Sequence, residues 1–147
     1  MNKITKIYKE LLGVANFLHL KVHHKPRQTQ LGELDLHKHQ ITLAKQNKNT
    51  LLGCFILAHE IGHYTDFISG KFRRFFLAPA HQGLTDNPKN RKLIENAEWS
   101  AIKFARNLLR SQGFRISNRE WLDRSLFRRR LLPVWYAQYT KPQKRKK

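Results

Sequence analysis

Two histidines four residues apart, with a glutamate directly after the first, make His59-Glu60-Ile61-Gly62-His63 the stretch of this sequence best suited to chemistry. On a helix, residues i and i+4 stand one above the other, so both imidazoles can reach a single metal ion. Glu60 then lies beside the first ligand, where its carboxylate can meet a metal-activated water without itself binding the metal. The chemistry this serves is hydrolysis: the metal polarises a carbonyl and the acid moves a proton. A chain with eight histidines meets the pattern by accident with a probability of roughly 2%.

A catalytic zinc takes three protein ligands and keeps one position open. The third must come from elsewhere, and "LIENAEWSAIKFARNLL" offers Glu95 and Glu98. The apolar stripe of that segment is Leu93, Ile94, Ala97, Ala101, Phe104, Ala105 and Leu108. At about 100° per residue, Glu98 lies roughly 60° from the centre of the stripe and Glu95 roughly 120°. Glu98 is thus expected at the margin of the core, and Glu95 toward solvent on the side of Arg106. A carboxylate at a buried margin is costly unless a cation meets it. That favours Glu98 as the third ligand, with Glu95 as the alternative.

The neighbours admit plainer roles. Asp66 is placed either to orient a ligand imidazole through its second nitrogen or simply to be solvated. Cys54 is rotated away from the ligand face and reads as small core filling. Gly62 weakens a helix by about 1 kcal/mol relative to alanine, which hints at close packing. Tyr64 and His81 are within conceivable reach of an oxyanion, but neither is assigned that role. His19, His23, His24, His37, His39 and His81 lack ligand spacing and read as surface residues.

The elements that position these groups are legible in the periodicity. Ile4, Ile7, Tyr8, Leu11, Leu12, Ala15 and Leu18 recur at helical steps behind a capping Asn2. "HLKVHH" predicts a short strand, and "LGELDLHKHQITLA" a β-hairpin around its polar centre. Asn49 or Thr50 caps the metal-binding helix, which ends near Gly70. "PAHQGLTDNPKN" predicts a loop over residues 79–90, and a third helix spans about 91–112, stopped by Gly113. Ser117 and Glu120 predict the capping box of a fourth helix that ends before Pro133. The class is α+β in one domain, residues 1–135, followed by a basic tail, 136–147, expected to be disordered.

The chain has 147 residues, one cysteine and a formal charge of +19. A lone cysteine excludes an internal disulfide framework and fits a reducing compartment. The longest apolar run, "LLGCFILA", is less than half of the ~18 residues a membrane span needs. The amphipathic start of the chain reads as part of the fold and not as a signal peptide. A cytoplasmic protein is expected. The charge favours non-specific nucleic-acid contact through the basic surface and tail. No helix-turn-helix, RNP or zinc-finger pattern points to sequence-specific recognition.

"FILAHEIGHY", the hairpin before it and "EWSAIKFARNLL" together resemble the ImmA/IrrE family of zinc metallopeptidases, which use a distal glutamate as third ligand. The likeness runs from the first helix to about residue 109. It implies a zincin-like fold: a small antiparallel sheet packed against the His-Glu-x-x-His helix, with the glutamate-bearing helix crossing it. It also implies zinc as cofactor, His59, His63 and Glu98 as ligands, and Glu60 as the catalytic carboxylate. The implied reaction is hydrolysis of a peptide bond in a protein substrate such as a DNA-bound repressor. The contrasting expectation is a catalytically silent basic module, its fold supported by zinc, that binds nucleic acid or a protein partner. Glu60 argues against it, since a structural site has no use for that acid and usually fills all four positions with protein.

Overall fold

The computed structural model describes residues 2–26, 32–77, 84–85 and 87–114. Helix α1 (Lys3–Phe17) begins where the Asn2 side chain accepts from Thr5 N, and it buries Ile7, Tyr8, Leu11 and Ala15. Strands β1 (Lys21–Lys25), β2 (Gly32–Asp35) and β3 (Gln40–Ala44) form one sheet. The β2–β3 turn closes on Asp35, whose Oδ1 accepts from both His37 N and Lys38 N at 3.0 Å. This is the local bonding for which Asp is favoured in turns.

The sheet is mixed, not antiparallel throughout as the sequence suggested. Its order is β1-β3-β2: the β2–β3 hairpin is antiparallel, whereas β1 runs parallel to β3. Apolarity decides the order. "QITLA" is the most apolar of the three strands, and Ile41, Thr42, Leu43 and Ala44 are all buried, so it takes the centre. The more polar β1 and the acid-bearing β2 remain at the edges, where unpaired backbone can meet water. On the inner face, cross-strand rows run Val22–Ile41–Leu34 and His24–Leu43–Gly32.

Helix α2 (Leu51–Ile68) is the element around which the rest is arranged, with α1 and the sheet against it and α4 packed along it. A single 3-10 turn, Lys45–Asn47, leads into it, and Thr50 caps it by accepting from Gly53 N at 2.9 Å. It buries residues on every side, among them Ile56, Leu57, Ala58, Ile61 and Tyr64, as a helix enclosed by other elements must.

Helix α3 (Arg73–Leu77) is a short turn that the periodicity did not announce. Helix α4 (Pro88–Ser111) begins three residues earlier than expected, so the end of the predicted 79–90 loop is helical. The reason is local: Asn87 accepts from Asn90 N at 2.8 Å, and Pro88 at the first helical position loses no hydrogen bond. Gly113, at φ +84°, follows the last turn as predicted. The main core joins α1, the sheet, α2 and the second half of α4; a smaller cluster of Phe75, Leu84, Ile94 and Ala97 sits under α3. The predicted fourth helix with Ser117 and Glu120, the tail 136–147 and His81 lie outside the described residues.

Candidate metal centre

His59 and His63 stand one turn apart on α2, and Glu98 faces them from α4. Glu98 is 1% exposed, His63 3% and His59 8%. His59 Nε2 lies 2.9 Å from Glu98 Oε2, and His63 Nε2 lies 3.1 Å from Glu98 Oε1, so one carboxylate accepts from both rings. The three side chains offer ligand atoms within 4.8 Å of one another. Among the described residues no other His, Cys, Asp or Glu trio converges in this way. Glu95 is half-buried, not turned to solvent, and stands apart from this group.

Gly62 makes the approach of the two helices close. A Cβ there would lie 3.1 Å from Ala101 Cα, from Ala101 O and from Phe104 Cβ. Ala101 is one turn beyond Glu98, so the glycine sets how near that carboxylate comes to the histidines.

Burial alone would discharge Glu98. The His63 charge and the hydrogen bonds from both rings outweigh it and hold the carboxyl at about 2. Burial likewise opposes a charge on His63, but Glu98, helped by Glu60 and Asp66, lifts the imidazole to about 9. This side-chain set is therefore an anion clasped by two imidazoles, a grouping that a divalent cation can enter in place of the proton.

The geometry fits such an ion. Ligands about 2.0–2.1 Å from a tetrahedral zinc stand roughly 3.3–3.4 Å apart. The present 2.9 and 3.1 Å fall only a few tenths of an ångström short. A second fit lies behind the ligands. A histidine that gives Nε2 to a metal carries its proton on Nδ1 and needs an acceptor there. His63 Nδ1 and Asp66 Oδ2 are both buried without a hydrogen-bond partner. Asp66 thus lies close enough for its charge to act on His63, but the two are not hydrogen-bonded.

Glu60 is not part of the clasp. It points to the sheet side of α2 and keeps some exposure. There a Cβ on Gly32 would stand 3.3 Å from its Oε1 and 3.4 Å from its Cγ. Burial raises its pKa above the usual carboxylate range, against the pull of the two histidines. A carboxylate that holds a proton more readily than usual, next to a metal-ligand set, is suited to taking and returning one.

Several contacts had no clear sequence signal. Phe75 stacks on the His63 ring at 5.7 Å, and Phe76 meets it edge-on at 6.0 Å, so α3 forms a wall of the site. The paired aromatics of "KFRRFF", so soon after the metal helix, were the only hint. Tyr64 turns away and places its hydroxyl 3.3 Å from His39 Nδ1 in the hairpin turn. Cys54 fills the core as expected, its thiol raised to about 11 by burial. No helix among the described residues is long and apolar enough to cross a membrane. Comparison with protein-family models, with curated proteins and with solved structures finds no match for this chain.

Proposed function

We propose that the protein is a zinc-dependent peptidase that hydrolyses a peptide bond in a protein substrate. The observation that carries this reading is the convergence of His59, His63 and Glu98 beside a Glu60 that does not join them. Two imidazoles and one carboxylate are the donor set of catalytic zinc and leave one position for solvent. A bound zinc would supply Lewis acidity, lowering the pKa of water toward ~7 and polarising a carbonyl.

The chain's own residues do the rest. Glu60 takes a proton from the water that adds to the carbonyl carbon and returns it to the amine nitrogen as the C–N bond breaks. Gly32 lets β2 lie directly against this carboxylate. Among the described residues β2 pairs only with β3, which leaves its outer edge for an extended substrate to join as a further strand. The resemblance to ImmA/IrrE peptidases suggests a repressor or regulator bound to DNA, toward which a chain of +19 charge would be drawn.

Glu60→Gln tests the reading. The variant should keep its zinc and lose about 10²–10⁴-fold in turnover, the usual worth of a general base. Undiminished hydrolysis by that variant would exclude the mechanism. The charge also favours a silent basic module; nucleic-acid binding equal in both proteins, with no peptide cut by either, would select it.

A further inference from the structure

The rim of the site at its His63 end carries charge that no described acid neutralises. After α2 the backbone folds back, with Lys71 N donating to Asp66 O at 2.9 Å, and α3 begins. Arg74 Nη2 donates to Asn90 Oδ1 at 3.0 Å, which holds α3 against the first turn of α4. The exposed Lys71, Arg73, Arg74 and Lys89 are thereby gathered on one shoulder. Among the described residues none has a carboxylate within ion-pair distance, and neither α3 nor α4 has an acid in its first turn. The partner of Arg74 is a neutral amide.

Apolar surface is mixed into the same shoulder. Ile68 and Leu77 are 54% and 60% exposed. Phe75 and Phe76, which precede Leu77 on the same short helix, pack on the His63 ring.

We propose that this shoulder receives an acidic segment of the protein substrate, with glutamate or aspartate interleaved among apolar side chains, to one side of the bond that is cut. The proposal rests on the peptidase reading and adds to it the class of sequence that is recognised. Four neighbouring cations repel one another in the free protein, and an acidic partner relieves that repulsion while a basic one is refused. A nucleic-acid backbone would satisfy the charge but has no aliphatic groups to cover Ile68 and Leu77. An acidic, partly apolar peptide satisfies both.

The test uses zinc-loaded full-length protein carrying Glu60→Gln, so that binding is read without cutting. A fluorescent peptide of mixed glutamate and leucine is compared with its glutamine counterpart. At low salt the acidic peptide should bind about tenfold tighter or more, with the difference closing at high salt. The triple change Lys71→Glu, Arg73→Glu and Lys89→Glu should abolish the preference. The same change at Lys6 and Lys9 of α1 and at Lys45 in the turn that leads into α2 should leave most of it. Circular dichroism and zinc content verify both triples, and single changes at Lys71 and Arg73 replace a triple that does not fold.

Equal losses from the two triples would overturn the proposal in favour of net charge alone. So would duplex DNA that displaces the peptide and itself loses affinity on the Lys71, Arg73, Lys89 triple. A degenerate peptide library cut by the unsubstituted protein separates the two levels. Cleavage without acidic preference overturns this proposal alone; absence of any cleavage overturns the peptidase reading and, with it, the acidic segment as substrate.

Discussion

Gly62 of α2 lies directly on Ala101 of α4: a Cβ on the glycine would stand 3.1 Å from both the Cα and the carbonyl oxygen of the alanine, tighter than ordinary van der Waals contact. The contact is backbone on one side, so it can yield only if the helices separate. Gly62→Ala gains about 1 kcal/mol of helix propensity, and overpacking costs about 1–3 kcal/mol. The packing term should win. Denaturant titration is expected to show a net loss of up to about 2 kcal/mol, together with weaker metal binding as Glu98 moves away. A more stable Gly62→Ala protein would mean that the helices yield freely.

Glu98→Ala removes the acceptor shared by His59 Nε2 and His63 Nε2. His63 can shed its proton, so the metal-free protein should lose about 1–3 kcal/mol, the cost of stranded buried donors. Zinc affinity should fall by more than the ~10–100-fold typical of losing a group that only supports a ligand. Metal analysis after dialysis reads the effect. Glu95→Ala should retain one zinc per chain, and the reverse pattern would move the third ligand to Glu95.

Metal and proton compete at His63. Its folded pKa is raised to about 9, so below that pH each bound ion should expel a proton and apparent affinity should fall about tenfold per pH unit. Above it the dependence should flatten. For the stability of the metal-free protein the sign of the His63 effect is the reverse. The His63 contribution to stability is complete below the ordinary 6.5 and is lost as pH rises through about 9. Glu98, lowered from 4.5 to about 2, contributes above 4.5 and loses its share as pH falls through about 2. Calorimetry at pH 7 in buffers of different ionisation enthalpy counts the released proton, and a count of zero would contradict the clasp.

Cys54 is 1% exposed and its thiol is raised to about 11. At pH 8 only about one thiol in a thousand would be ionised. A disulfide reagent should therefore label the native protein slowly and the denatured protein at once, giving a single-site clock of opening between α1 and α2. Fast labelling of the native protein would show that this end of the core is loose.

The grouping of His59 and His63 was the most legible part of the sequence, because four-residue spacing fixes two side chains on one helix face wherever that helix lies. Glu98 could be preferred over Glu95 because a carboxylate near an apolar stripe demands a partner, although its full burial exceeded the expected marginal position. Caps were readable where one side chain acts locally, as at Asn2 and Thr50. What could not be read depended on distant surfaces. The parallel pairing of β1 with β3 follows from competition for the centre of the sheet, which no single strand displays. Asn87-Pro88 carries the local signals of a loop, yet proline at a first helical position is as natural as proline in a turn. The Phe75 and Phe76 wall arises from a five-residue helix, too short to leave a period.

Because β3 lies between two strands that precede it in the chain, neither β1 nor β2 has a neighbour to bond until residues 40–44 exist. On the ribosome, α1 would emerge with its apolar face uncovered and would wait for strand and helix alike. The ligand-bearing turn of α2 follows within twenty residues, but Glu98 arrives far later. Metal capture by all three side chains would thus wait for a nascent chain synthesised past residue 98, and loading by the two histidines alone would be weak.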